Sequence, residues 1–347
     1  MKKILTLHIG RAKTGSSAIQ GALKASRTSL ALAGFCYPMT GGKKNDKNHP
    51  ILAHACNKNH PLIARACNKN YQATQGVDIN NLKSEFEKET AEFNKIIVSS
   101  EGFQNIIEPK LFEYFFPRQL ANSEGLFKTY YEIRTLCYLR EVLSGARSAF
   151  SQRVQTTGMF CSFSQFLHHY ASIDLHVFSK FWRSVSDTVE FANYCAAKQL
   201  PKGVVSDFER RIGLSLESSS DILSRNPSIS GNLLIFKLLI NKLGLFDEAH
   251  SPLLLDLATS EARFSGGFCI EKTVSEKLRN KYSEYNKCVT SLSGDFILED
   301  YSHAPPLFDA ENWQKDLEMF LDKPEFSGFK DDSRIWSEDP GGWRIDE

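Results

Sequence analysis

Residues 4–17 read Ile-Leu-Thr-Leu-His-Ile-Gly-Arg-Ala-Lys-Thr-Gly-Ser-Ser, and this stretch decides the fold. Its apolar first part favours a short buried strand, and the small residues from Gly10 onward favour a loop. Ile19, Leu23 and Leu30 then recur near helical spacing, with Gly34 as the stop. A strand, a glycine loop and a helix in this order predict a site where backbone N–H groups and a helix N-terminus converge on an anion.

Further strands are predicted downstream at 95–100, 134–139 and 188–191. Helical patterns follow the first two of them, at 109–120 and 142–154. Strands that alternate with helices predict an α/β fold in which a parallel sheet lies between two helical layers. We therefore expect a three-layer α/β architecture.

Three residues of interest each follow one of the predicted strands directly. Gly10 ends the first strand, Glu101 comes after the second and Arg140 after the third. Ligands of open parallel sheets bind at the carboxyl ends of the strands. We therefore expect the three residues to meet in one crevice.

The later part of the chain is predicted to be a helical elaboration, with apolar residues at helical spacing in 208–212, 233–243 and 274–285. After Ser302 the chain is rich in Pro, Asp and aromatic residues, which is typical of a segment that packs on a surface. The sequence thus predicts one domain over 1–290, with an insertion at about 40–90, and a C-terminal extension over 291–347 packed on it.

Charge and composition exclude several classes of protein. The 347 residues carry 42 Lys plus Arg against 41 Asp plus Glu, a formal net charge of +1. This balance argues against a nucleic-acid-binding protein and against a protein held on anionic lipid by a basic field, but it leaves room for a local basic pocket. The 25 Phe residues favour a large aromatic core over an apolar acceptor site.

The cellular compartment is predicted to be the cytoplasm. Lys2 and Lys3 precede an apolar run that His8 interrupts, and this run is too short for a signal peptide. No stretch approaches 18 apolar residues, so no integral membrane association is expected. The eight Cys contain no C-x-x-C pair, which favours a reducing compartment.

A tandem repeat occupies the predicted insertion: 49–59 reads HPILAHACNKN and 60–70 reads HPLIARACNKN, with eight of eleven positions identical. Two copies are too few for a solenoid, so we interpret the repeat as a local duplication. Its histidines and cysteines match no spacing of zinc ligands, and no metal site is predicted. These residues are His49, His54, Cys56, His60 and Cys67.

The glycine loop differs from a Walker A motif. Gly10 and Gly15 have the Walker spacing, but Ser16 stands where that motif carries lysine, and the lysine lies inside the loop as Lys13. No apolar strand ends in the aspartate with which a kinase or ATPase holds Mg²⁺. The loop is therefore typical of a site for a phosphate-like group whose charge a lysine neutralises.

At this point the chain resembles a known family, the bacterial sulfotransferases that use 3′-phosphoadenosine 5′-phosphosulfate (PAPS) and have a P-loop-like fold. Residues 13–17, Lys-Thr-Gly-Ser-Ser, match the family's 5′-phosphosulfate loop. Arg140 at a strand end and Ser148 eight residues later match its 3′-phosphate motif. The resemblance covers roughly 1–290 with gaps. The Gly-x-x-Gly-x-x-Lys loop of cytosolic members is not apparent. Weaker similarities lie at 99–101, 148–153, 207–214 and 226–241.

The resemblance implies two anion sites, without a required metal. One would hold the 5′-phosphosulfate and the other, with Arg140 and Ser148, the 3′-phosphate of PAPS. Lys13 would also stabilise the leaving phosphate during catalysis. The residues expected at the first site are Arg11, Lys13, Thr14, Gly15, Ser16 and Ser17.

The general base has three candidates. Glu101 is preferred because it ends the strand between the two phosphate motifs, and a positioned base contributes about 10²–10⁴-fold to the rate. His49 and His60 are the alternatives, since both lie in the insertion that would form the acceptor side.

The predicted activity is transfer of a sulfuryl group from PAPS, released as PAP, to a hydroxyl or amine. A carbohydrate or glycolipid is the acceptor class that the resemblance implies, and no nucleic-acid partner is expected. Two alternatives stay open. One is a kinase-like phosphoryl transferase with an atypical loop, and the other is a non-catalytic nucleotide-binding protein.

Overall fold

The computed structural model describes residues 2–11, 13–42, 47–56, 78–105, 109–118, 130–217, 228–247, 250–337 and 340. Its strands are β1 (Lys2–His8), β2 (Phe35–Cys36), β3 (Lys95–Ser99), β4 (Tyr130–Leu139) and β5 (Thr188–Asn193). Within the described ranges these strands form one sheet in the order β2-β3-β1-β4-β5, and every recorded pairing is parallel. The predicted α/β class is confirmed.

The helices occupy most of the remaining described chain. In the first half they are α1 (Ser16–Ala25), α2 (Arg27–Leu32), α3 (Pro50–Ala55), α4 (Ile79–Glu89), α5 (Pro109–Phe115), α6 (Val142–Thr156), α7 (Phe163–Ala171) and α8 (Leu175–Val185). Further along they are α9 (Tyr194–Lys198), α10 (Val204–Ile212), α11 (Gly231–Lys242), α12 (Ser251–Ser260), α13 (Lys272–Lys281), α14 (Ser283–Ser293), α15 (Trp313–Leu321) and α16 (Ser333–Ser337).

The chain divides into two compact units. The first contains Met1–Arg140, Leu175–Ser224 and Val289–Phe296, and with them the whole sheet. The second is helical and contains Glu141–Asp174, Arg225–Cys288 and Ile297–Glu347. The prediction of one domain over 1–290 with an appended tail stays a prediction.

The first unit has helices on both faces of the sheet. On one face, side chains of α1 and α10 such as Leu23 and Phe208 form a buried core with Leu136 and Tyr138 of β4. On the other face the core is aromatic: Phe112 of α5 stacks edge-on against Trp182 of α8 at 5.7 Å between ring centroids. This arrangement uses the abundant phenylalanines for packing, as the composition predicts.

The sheet order explains why three distant segments meet. β1 is the central strand, and it pairs with β3 on one side and with β4 on the other. In register, His8 lies beside Ser99 of β3 and beside Leu136 of β4. The residues that follow these strands therefore emerge at one edge of the sheet.

No helix in the described part of the chain has the length and apolar character needed to cross a membrane.

Candidate functional site

The loop after β1 is held in an unusual backbone conformation. Lys13 has a φ of 63° and Gly15 a φ of 80°, so both lie in the left-handed region. For a lysine this conformation costs about 1–2 kcal/mol and needs support from its surroundings. Part of that support is a hydrogen bond of 2.7 Å from the Thr14 hydroxyl to the carbonyl oxygen of Arg11.

The N-terminus of α1 opens directly from this loop. The N-cap is Gly15, and no side chain caps the helix. The first turn of a helix leaves backbone N–H groups without intrahelical partners, and the helix dipole adds partial positive charge there. The α1 N-terminus is therefore available to an anion.

Gly10 brings the loop, the helix and the end of β3 into contact. A Cβ atom at Gly10 would lie 2.0 Å from the Ser16 hydroxyl oxygen and 3.0 Å from Cγ of Glu101. Only glycine fits this position, because any other side chain would overlap with Ser16. Ser16 and Glu101 thus face one another across Gly10.

The Ser16 hydroxyl is a buried hydrogen-bonding group at the same helix end, suited to an anion. Its oxygen is fully buried and has no hydrogen-bond partner among the residues that the structure describes. A buried hydroxyl without a partner costs about 1–3 kcal/mol of stability. An oxygen of a phosphate or phosphosulfate group would supply the missing acceptor. The residues of the loop therefore fit an anionic group of this kind.

Arg140, which follows β4, contacts the loop that follows β1. It is buried directly after β4, and its Nη1 donates a hydrogen bond of 3.0 Å to the carbonyl oxygen of Lys13. The guanidinium carbon lies 4.8 Å from the centre of the Tyr194 ring. The same ring lies under Gly15, whose added Cβ would approach Tyr194 to 3.3 Å. Arg140 and Tyr194 together hold the loop in place.

The charges of Lys13, Glu101 and Arg140 act on one another. Burial lowers the pKa of the Lys13 ammonium below its ordinary value, and the nearby Arg140 lowers it further. Glu101 opposes both effects and raises the pKa of Lys13. An incoming dianion would relieve the repulsion between the two cations.

Glu101 begins a single 3-10 turn, Glu101–Asn105, immediately beyond the end of β3. Its side chain is half-buried. The backbone on either side of it is fixed by two hydrogen bonds, from Ser100 N–H to the His8 carbonyl oxygen and from Gly102 N–H to the Ser100 hydroxyl. The carboxylate, which acts electrostatically on Lys13, therefore has a well-supported backbone.

His49 is buried behind the end of β3. Its backbone N–H donates to the carbonyl oxygen of Ser99 at 2.9 Å, and its Nδ1 lies 3.1 Å from the N–H of Ser99. Its Nε2 lies 2.9 Å from the carbonyl oxygen of Pro38. The neutral tautomer with a proton on Nε2 satisfies both contacts. Burial lowers the pKa of His49, which agrees with a neutral ring.

Ser99 is also held from the other side by residues that the sequence analysis did not select. The Ser99 hydroxyl lies 2.8 Å from Nδ1 of His8 and accepts a hydrogen bond of 3.2 Å from the Gln20 amide. Burial lowers the pKa of His8 to about 3. The local signal for His8 was a histidine inside an apolar strand next to the glycine loop. Ser99 lies 91 residues from His8 and 79 from Gln20 along the chain, so no local sequence pattern reveals these contacts.

The remaining predicted residues are distributed as follows. Arg11 is buried, and its charge acts on the Cys137 thiol of β4. Ser17 is exposed on the first turn of α1. Ser148 belongs to the second unit, where it is half-buried on α6. His60 lies outside the described residues, as does the whole of the second repeat copy, 60–70.

Metal ligands are not grouped in the described part of the chain, where no three His, Cys, Asp or Glu side chains come together. Residues 50–55 of the first repeat copy form the short helix α3. There Ala53 packs closely against Gly102 of the 3-10 turn, at 3.0 Å from an added Cβ. Its role in the described structure is to support the segment around Glu101.

Among the solved structures the chain has distant likenesses, one of them to a sulfotransferase. The crystal structure of a sulfotransferase from Alicyclobacillus acidocaldarius is similar to this chain, with a TM-score of 0.34 and 14% sequence identity over 72% of this chain and 96% of that one. At these values the likeness carries no argument about activity. No protein-family model and no curated protein matches the chain.

Proposed function

We propose that this protein is a sulfotransferase that moves a sulfuryl group from PAPS to a hydroxyl or amine of an acceptor. The observation that carries the proposal is the coupling of the two phosphate motifs. Arg140 bonds to the carbonyl oxygen of Lys13, so the cation after β4 and the lysine loop after β1 form one structure. A ligand with an anion at each end matches such a pair of motifs.

The 5′-phosphosulfate is assigned to the α1 N-terminus. Ser16 would donate its unpartnered hydroxyl, and the backbone N–H groups of the first turn would donate alongside it. Thr14 acts indirectly, because its hydroxyl is used within the loop. Arg11 is buried against β4 and would contribute charge rather than a direct contact.

The 3′-phosphate is assigned to Arg140, and Ser148, which belongs to the second unit, stays an expectation from the resemblance of its spacing to the family motif. An arginine fork suits phosphate oxygens better than an ammonium does. The contact between the Arg140 guanidinium and the Tyr194 ring restricts the position of that fork.

In the proposed reaction the bond between sulfur and the bridging phosphate oxygen breaks, and a bond from the acceptor oxygen or nitrogen to sulfur forms. Lys13 neutralises the charge that develops on the leaving 5′-phosphate. Glu101 takes the proton that the acceptor loses. No step requires a metal ion or a redox partner.

The described contacts favour Glu101 over His49 as the base. Both ring nitrogens of His49 are used by the backbone of Ser99 and Pro38, so the ring has no free acceptor to offer. Glu101 is half-buried beside Gly10 and acts electrostatically on Lys13. We assign His49 a positioning role, in which it fixes β3 two residues before Glu101.

The acceptor class that fits the resemblance is a carbohydrate or glycolipid. The phenylalanines at 112, 115 and 116 do not line an acceptor site, because they are buried in the core.

The test is turnover of radiolabelled PAPS with a panel of sugars, glycolipids and amines. We expect label to move to at least one acceptor and PAP to accumulate, with no requirement for Mg²⁺. The test variant is Glu101→Gln at the site, and its matched control is Glu113→Gln on α5, which removes the same charge from an exposed position. Binding of PAP without turnover on any acceptor would favour a non-catalytic nucleotide-binding protein.

A further inference from the structure

Lys47 lies beside the first turn of α1. Its ammonium Nζ donates a hydrogen bond of 3.2 Å to the carbonyl oxygen of Ser17, the second residue of that helix. The side chain is exposed. In the described part of the chain, this carbonyl is the sole recorded partner of the ammonium, and no carboxylate contacts it.

The backbone at Lys47 is held firmly. The Tyr37 hydroxyl donates a hydrogen bond of 2.5 Å to the carbonyl oxygen of Lys47. Two residues further on, His49 is bound to Ser99 and Pro38. The Tyr37 and His49 rings also contact one another edge-on at 4.9 Å. Lys47 is therefore presented next to α1 by an anchored segment.

The position of this lysine is electrostatically unfavourable without a ligand. The N-terminus of a helix carries partial positive charge and prefers anions, so a cation beside its first turn is unfavourable unless an anion is bound there. Lys13 and Arg140 already bring two positive charges to the same helix end. The buried Ser16 hydroxyl at this helix end has no hydrogen-bond partner within the described ranges. Excess positive charge and an unused donor both indicate an anionic ligand.

We propose that Lys47 is a third cation of the anion site at the α1 N-terminus, where it binds the phosphosulfate group of the donor. In this role the ammonium leaves the Ser17 carbonyl oxygen for an oxygen of the ligand. The assignment rests on the proposed function for the identity of the ligand. The existence of an anion site there rests on Ser16, Lys13 and Lys47 themselves.

The experiment is isothermal titration of the full chain with PAPS, and separately with inorganic pyrophosphate. The variants are Lys47→Met, which keeps the length and removes the charge, and Lys47→Arg, which keeps the charge. The control is Lys95→Met, because Lys95 is exposed at the amino end of β3, away from the site. Thermal unfolding without ligand checks that all variants are folded.

We expect Lys47→Met to weaken PAPS binding about tenfold, as loss of one charged hydrogen bond does. Lys47→Arg should retain most of the affinity, and Lys95→Met all of it. Equal PAPS affinity in Lys47→Met and the wild type would overturn the assignment.

If the wild type binds no PAPS, the proposed function fails, and pyrophosphate then decides the role of Lys47. Weaker pyrophosphate binding in Lys47→Met would support the anion site. Equal binding, or none in the wild type, would overturn it.

Discussion

The guanidinium of Arg140 donates a hydrogen bond to the carbonyl oxygen of Lys13, across 127 residues of sequence. Through this bond the end of β4 fixes the conformation of the loop that follows β1. Lys13 has a positive φ, so the bond supports a backbone that a lysine rarely adopts. Nucleotide binding and loop conformation are therefore expected to respond together to changes at Arg140.

Arg140→Ala should weaken PAP binding by about one to two orders of magnitude, because hydrogen bonds to a charged group contribute about 1.5–3 kcal/mol each. Arg140→Lys should recover only part of the loss, since an ammonium lacks the fork geometry. Isothermal titration with PAP measures both. The control is Arg134→Ala, on the same strand but paired with Glu132 at an exposed position. Unchanged PAP affinity in Arg140→Ala would remove Arg140 from the site.

Lys13→Ala should lower turnover about 10²–10³-fold while PAP still binds, because the lysine acts mainly on charge that develops in the transition state. The pKa of Lys13 is lowered, so the wild type should lose activity on the alkaline side below pH 10.5, the ordinary value. In Lys13→Arg any remaining activity should lack this alkaline limb. An identical limb in that variant would assign the alkaline loss to another group.

Glu101→Gln should lower turnover by about 10²–10⁴-fold, the contribution of a positioned base, and should remove the acid limb of the pH–rate profile. His49→Gln should lower stability through the lost contacts with Ser99 and Pro38, but it should leave the acid limb in place. Both profiles are measured as kcat/KM against pH. Full activity in Glu101→Gln, or loss of the acid limb in His49→Gln, would transfer the role of base to the histidine.

Gly10→Ala should abolish PAP binding and lower stability by about 1–3 kcal/mol, because the new methyl group would overlap with the Ser16 hydroxyl. The matched control is Gly158→Ala, where an added Cβ has no atom within 4 Å. Urea denaturation and PAP titration measure the two effects. Wild-type binding in Gly10→Ala would mean that Ser16 and Glu101 do not approach one another as described.

His8 should make the protein sensitive to acid. Its pKa is about 3 in the folded protein against 6.5 when unfolded, so the unfolded state binds more protons between these values. Stability is therefore present above about pH 6.5 and falls by up to about 1.4 kcal/mol for each pH unit below it. Urea midpoints from pH 7 to pH 4 measure the slope. His8→Asn should flatten it, whereas His168→Asn, at an exposed position on α7, should not. An unchanged slope in His8→Asn would contradict the burial of the ring.

The central strands of the fold were predictable because each combines an apolar run with a polar end. The predicted strands near β1, β3, β4 and β5 agree with the structure to within a few residues, although β4 begins earlier, at Tyr130. The two-residue strand β2 was not predicted, because so short a strand has no hydrophobic periodicity. The predicted helix at 274–285 is two helices, α13 and α14, separated at Tyr282.

The candidate site was predictable only where a local motif exists. The loop at 10–17 and Arg140 are visible in the sequence because each follows a strand. The hydrogen bonds of Ser99 with His8, Gln20 and His49 were not predictable, because parallel strand pairing and helix packing bring these residues together. Lys47 carries no motif at all, and its proximity to α1 appears only in three dimensions.

The most direct test of the central claim is a thermal-shift comparison of the wild type with PAP, PAPS, ADP and ATP–Mg²⁺. A ligand at a hundredfold excess over its Kd stabilises the folded state by about 2.7 kcal/mol. We predict shifts of this kind with PAP and PAPS, unaffected by EDTA, and a smaller shift with ADP. A shift with ATP–Mg²⁺ and none with PAP would contradict the account and indicate a phosphoryl transferase.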